Sequence, residues 1–160
     1  LIHLVAAIIA AYVISLFSRT IEEMVVLAIL MPIVATMGGT ASVQALTVAV
    51  RAIAMKELTP VNAFRAIRKE AVVGLLNGLI FAILIGSLAW GWFSSPALGG
   101  VIALAIVINL LAAGLSGSAL PLILQRCGFD PAVASSAFLT SITDIVGFYT
   151  FLGLGALLLL

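Results

Sequence analysis

The run Pro131-Ala-Val-Ala-Ser-Ser-Ala-Phe-Leu-Thr-Ser-Ile-Thr-Asp144-Ile-Val-Gly147-Phe-Tyr-Thr-Phe-Leu-Gly-Leu-Gly-Ala-Leu-Leu-Leu-Leu160 is an apolar, hydroxyl-rich helix pattern with one charged side chain. A helix rises about 1.5 Å per residue and the hydrocarbon core of a bilayer is about 30 Å thick. The run is therefore long enough to cross, and Asp144 falls roughly 20 Å along it, near mid-membrane. An acid at that depth costs about 2.5–3.5 kcal/mol on insertion scales, and such acids usually mark ion or proton paths. The other acids, Glu22, Glu23, Glu57, Glu70 and Asp130, stand at predicted span ends or in loops. No basic residue is predicted at the depth of Asp144, so a buried salt bridge does not account for it.

The rest of the chain agrees with a lipid solvent. Apolar residues make up 64% of it and charged residues 8%, more apolar surface than a soluble domain of this length can cover. A net charge of +1, with no dense basic patch, argues against nucleic acid as a partner. Cys127 is the single cysteine, which excludes a disulfide framework and a thiolate metal cluster. The opening apolar stretch has neither the basic flank nor the small-residue cleavage site of a signal peptide. The chain starts at Leu1 rather than Met, and we read it as a piece of a longer protein.

The expected architecture is an all-α integral membrane protein with five transmembrane helices and one short interfacial helix. The first span covers about residues 2–17. Thr20 and Glu23, at capping-box spacing, are expected to open the second helix, which runs from about Met24 to Met55. Pro32 and Gly38-Gly39 interrupt that helix, and Thr36, Thr40, Ser42, Gln44 and Thr47 give it a polar middle. Such helices are tolerated at membrane depth where protein or a wet cavity satisfies the freed backbone groups. In the loop that follows, Thr59 and Pro60 are expected to start a short amphipathic helix, with Val61, Phe64 and Ile67 on one face. A third span, about Ala71 to Phe93, ends at Trp90 and Trp92, an interfacial aromatic belt. The fourth covers about Leu98 to Gln125, closed by Gly128, and Asp130-Pro131 opens the fifth. Arg51, Lys56, Arg65, Arg68, Lys69 and Arg126 all fall on one side and only Arg19 on the other. The positive-inside rule makes the first side cytoplasmic, with the N-terminus inside and the C-terminus outside.

Around Asp144 the residues Ser136, Thr140 and Gly147 recur at spacings of three and four, one face of one helix. A hydroxyl stripe of this kind either glues helices together or lines a wet path. The acid favours the path. Mg²⁺ keeps several waters and is held by one or two carboxylates plus hydrogen-bonding oxygens. One aspartate half-neutralises a divalent ion, whereas two chains about a two-fold axis would present a pair. A homodimer with Asp144 at its axis is the economical arrangement, although residue types alone fit a proton as well as Mg²⁺. Asn77 and Asn109 are expected to form interhelical hydrogen bonds rather than to ligate. Glu22 and Glu23 are expected to serve the helix start more than an outer cation mouth. No nucleophile–base pair or metal-ligand cluster suggests an enzyme.

Two segments resemble a known family. Pro32-Ile-Val-Ala-Thr-Met-Gly38-Gly39-Thr40-Ala-Ser42-Val-Gln44, followed by Thr47 and Arg51, is similar to the second membrane helix of the MgtE family, which typically reads Gly-Gly-Asn-Ala-Gly-x-Gln. Pro121-Leu122, Asp130-Pro131-Ala132, Ser135, Thr140 and Thr143-Asp144-x-x-Gly147 resemble its fourth and fifth helices. The resemblance covers essentially the whole chain and implies a homodimeric Mg²⁺ channel of the plasma (bacterial inner) membrane, related to eukaryotic solute carriers of the same fold. It makes residues 1–160 the ion-conducting transmembrane domain of a family whose members carry cytoplasmic regulatory domains upstream. It implies that Asp144, Ser136 and Thr140 face hydrated Mg²⁺, and that Gly38, Gly39, Thr40, Gln44, Thr143 and Gly147 line the pore. A proton- or Na⁺-coupled carrier of divalent cations is the alternative mechanism. Three positions depart from the family pattern. Thr40 stands where Asn is preferred, Ser42 where Gly is, and Ser136-Ala137 replaces the common Asn-Pro or Ser-Pro pair. Loss of an amide near the ion implies looser selectivity among divalents.

Overall fold

The computed structural model describes residues 2–59, 61–130 and 136–160, all of whose regular structure is helical. The helices are α1 (Ile2–Ser15), α2 (Ser18–Glu23), α3 (Val25–Ala54), α4 (Ala63–Phe93), α5 (Pro96–Arg126) and α6 (Ser136–Leu158). Four of them, α3 to α6, are long and apolar enough to cross a membrane. The 14 residues of α1 rise only about 21 Å.

Helix α5 is the hub. Over its most apolar stretch 56% of the residues are buried, against 17% for α4, and α3, α4 and α6 all pack on it while α1 packs on α6. The largest apolar core, built around Leu27, Leu30, Val34, Ile102, Ile106, Phe151 and Leu152, joins α3, α5 and α6. The outer surface of α4 remains apolar, with Ile80, Ile83, Leu84 and Leu88 exposed, the face lipid would solvate. Trp90 and Trp92 are exposed at its end, as an aromatic belt requires.

Several expected boundaries move. Helix α3 is continuous through Pro32 and Gly38-Gly39; proline forfeits one backbone bond, the one to the Ala28 carbonyl, without ending the helix. Thr20 does not cap α3 but is buried within α2, and Glu23 pairs with Arg19 at 2.9 Å across one turn. The basic segment is not a separate interfacial helix. It is the first turns of α4, whose cap position is Asn62. Thr59 N–H donates to Asn62 Oδ1 and Asn62 Nδ2 to the Glu57 carbonyl, each at 2.8 Å, which folds the preceding loop back on itself. Pro60 lies outside the described residues. At the far end of α5, Gly128 adopts φ 77° and accommodates a Schellman closure. Its N–H bonds the Gln125 carbonyl, and Phe129 N–H bonds that of Leu124. Pro131 and Ser135 lie outside the described residues, which resume at Ser136.

Candidate functional site

Thr36 and Thr40 share one face of α3 with Gln44, because residues four apart stack on a helix. That face is turned toward Thr140 and Asp144 of α6. Together with Ala35, Gly39 and Val43 they line an open groove of about 610 Å³. Gly39 lets the helices close on each other here: a Cβ at that position would stand 3.2 Å from Thr140 Cγ2.

Asp144 is half-exposed and also borders a second cleft, of about 250 Å³, formed with α1. Ala6, Ala7 and Ala10 form the α1 wall, and Ser136, Ala137, Thr140, Ser141 and Asp144 the other. The carboxylate thus stands on the ridge between two clefts, with Thr140 common to both. Among the described residues no hydrogen bond or ion pair engages it, and no group of three or more acids, histidines or cysteines could hold a metal inside one chain.

The hydroxyls beside it are committed inward. Thr140 Oγ1 donates to the Ser136 carbonyl at 2.8 Å, and Thr40 Oγ1 to the Thr36 carbonyl at 2.9 Å. A hydroxyl has one proton and two lone pairs, so both threonines offer acceptor oxygen to the groove. Next to a carboxylate, which when ionised only accepts, they make a wall that suits a ligand whose outer surface is hydrogen-bond donors.

The expected ion-facing and pore-lining residues divide into three sets. Gly39, Thr40, Gln44 and Thr140 share the α3–α6 groove with Asp144, while Ser136 joins Asp144 in the α1 cleft. Gly38, Thr143 and Gly147 are buried away from both. Thr143 is fully covered, its hydroxyl bonded to the Leu139 and Thr140 carbonyls, and Gly38 and Gly147 close on Asn109 of α5. Gly147 therefore does not extend the face made by Ser136, Thr140 and Asp144.

Asn109 forms the interhelical bond expected of it, Nδ2 donating to the Val34 carbonyl at 2.8 Å. Asn77 does not. It is exposed and, with Gln44 and Glu70, lines a separate cleft of about 250 Å³ between α3, α4 and α5. The sequence reading missed the α1 wall. Its signal was present in Ala6, Ala7 and Ala10, small residues three and four apart that leave room over one face.

The model of a divalent cation transporter family, MgtE, matches residues 31–154. The chain is 35% identical over 135 residues to a magnesium transporter MgtE of Enterococcus faecalis, an alignment covering 84% of this chain and 30% of that protein. It is 30% identical over 146 residues to the Bacillus subtilis protein of the same name and 33% over 144 residues to that of Thermus thermophilus. These cover 91% and 89% of this chain and 32% of each relative. The chain thus spans about a third of the length of these curated relatives.

Proposed function

The chain belongs to the MgtE family of divalent cation transporters, which are not enzymes, and from that premise we propose that it conducts hydrated Mg²⁺ across a membrane. The observation that carries the proposal is the composition of the α3–α6 groove: one carboxylate flanked by threonine oxygens whose protons point into their own helices. A hydrated Mg²⁺ ion presents water hydrogens outward, and the Asp144 carboxylate with the Thr40 and Thr140 oxygens receives them without stripping the ion. The magnesium transporters to which the chain is similar support the choice of ion.

In this reading the functional unit is a homodimer. Asp144 of one chain leaves a divalent ion with one uncompensated charge, and the same residue of a second chain across a two-fold axis neutralises it. The open groove, which one chain lines on one side only, is where that second copy belongs. In this reading the short helix α1, packed on α6, counts as the fifth span, and the excess of basic residues at the α3–α4 and α5–α6 ends supports a cytoplasmic N-terminus and a C-terminus outside the plasma (bacterial inner) membrane. Thr40, in place of the amide the family prefers, leaves the path open to other divalent cations.

The test is Mg²⁺ uptake into liposomes by the wild-type chain and by Asp144→Asn, with Ca²⁺, Mn²⁺ and Co²⁺ as competitors. Removing the charge should reduce Mg²⁺ flux at least tenfold, because a divalent ion loses a charge-assisted contact worth more than about 1.4 kcal/mol. Wild-type flux in Asp144→Asn refutes the site. Flux locked to a proton gradient, in place of ohmic current, replaces the channel with a coupled carrier.

A further inference from the structure

Asn109 is the one asparagine fully enclosed by the helices, and its amide is the point where three of them meet. Its Nδ2 reaches across from α5 to the Val34 carbonyl of α3. A Cβ at Gly38 of α3 would overlap the amide, standing 2.8 Å from its Cγ and 2.9 Å from its Oδ1. A Cβ at Gly147 of α6 would stand 2.7 Å from its Nδ2. Neither glycine has room for a methyl group, so the amide fills the gap between α3 and α6. Gly38 precedes Gly39 and Thr40, and Gly147 lies three residues beyond Asp144. The wedge therefore acts at the level of the groove, on an adjoining face of both helices.

As glue alone the side chain is poorly made. Among the described residues its buried Oδ1 has no hydrogen-bond partner, and a half-satisfied buried polar group is worse for stability than an apolar one of the same shape. What it supplies is registry: a directional bond to one carbonyl, where an apolar side chain would allow α3 to slide. We propose that Asn109 is a positioning residue that fixes the spacing of α3 and α6, and through it the width and cation selectivity of the Asp144 groove. The proposal rests on the Mg²⁺ reading for its selectivity part and on packing alone for its spacing part.

The two parts are measured separately. In a Cys127→Ser background, Gly39→Cys and Thr140→Cys form a reporter pair, because the Cβ positions stand 3.9 Å apart, within the range a disulfide bridges. Full-length protein in lipid is oxidised mildly with and without Asn109→Leu; Asn109→Ala, which cannot overfill the site, is run beside it. Both variants should cross-link several-fold more slowly. In single variants without the reporter cysteines, the Mg²⁺ over Ca²⁺ flux ratio should fall about three- to tenfold, the scale of one interhelical hydrogen bond. The melting temperature of Asn109→Leu should hold or rise, since the orphaned acceptor is gone. An unchanged cross-linking rate overturns the proposal, as does a melting temperature that falls with selectivity intact. If cross-linking slows but Asp144→Asn conducts like wild type, the positioning role stands and the ion-path reading falls.

Discussion

The two seams on either side of α5 use small residues to opposite ends. Along the α4–α5 seam, Gly74, Gly78, Ala82, Gly86 and Ala89 are buried at intervals of four, four, four and three. There the backbones themselves touch: a Cβ at Gly74 would stand 2.6 Å from the Leu110 carbonyl, and one at Gly114 2.6 Å from that of Glu70. This is the close approach that small residues permit where lipid offers no hydrophobic drive between helices. Across the α3–α6 seam Gly39, Gly147 and Gly155 meet side chains instead, those of Thr140, Val34 and Leu27, and the positions around Gly39 carry threonines, Gln44 and an acid lining an open groove. One seam spends its small residues on contact. The other spends them on bringing polar side chains to a common space.

That contrast breaks most visibly at Gly114. Gly114→Leu sets a branched side chain against main chain, which cannot swing aside as a side-chain tip can. Overpacking of this kind should destabilise the fold by about 3 kcal/mol, the upper end of its usual range, read as reduced resistance to thermal unfolding in detergent. Whatever fraction folds should keep the wild-type Mg²⁺ to Ca²⁺ ratio, because Gly114 lines neither cleft that contains Asp144. A shifted ratio with undiminished stability would show that the two seams are not independent.

How far each seam was legible follows from the signal it leaves in the sequence. Asp144 needed no structure, since a charge amid apolar residues announces itself through solvation cost. Thr40, Gln44 and Thr140 followed from helical spacing and family likeness. The division between Gly39 and Gly38 did not: adjacent residues on a helix point about 100° apart, and which one meets α6 depends on how the helices are rotated. Gly147 shows the same failure, since a spacing of three from Asp144 placed it on the acid's face while Asn109 draws it into the core. The continuity of α3 through Pro32 and the merging of the basic segment into α4 are tertiary outcomes that override local breaking and capping signals. The α4 ladder was visible as glycines and alanines four apart, a pattern that apolarity alone does not single out.

A smaller effect sharpens the groove side. Thr140→Val keeps shape and volume but removes the oxygen that faces both clefts. The hydroxyl's bond to the Ser136 carbonyl is a back-bond that helices do not need, so stability should move by less than about 0.5 kcal/mol. Mg²⁺ flux in liposomes should fall about fivefold, the loss of one outer-shell hydrogen bond of about 1 kcal/mol. Unchanged flux would mean that the threonine is packing, as on the α4–α5 seam.

The smallest effect is expected at Gly39→Ala, where the two uses of small residues meet. The added Cβ would stand 3.2 Å from Thr140 Cγ2, a contact that a shift of a few tenths of an ångström relieves, and the groove beside it has space for that shift. Alanine also favours helix over glycine by about 1 kcal/mol, which offsets the crowding. Net stability should change by less than about 0.5 kcal/mol, and Mg²⁺ flux by less than about twofold, under 0.5 kcal/mol in barrier. One residue earlier the same change would drive a methyl group into the Asn109 amide, which is held on three sides. If Gly39→Ala instead disables transport while the protein remains folded, the α3–α6 seam is as tightly fitted as the α4–α5 seam, and the groove between them depends on a backbone approach that the threonine methyl cannot yield.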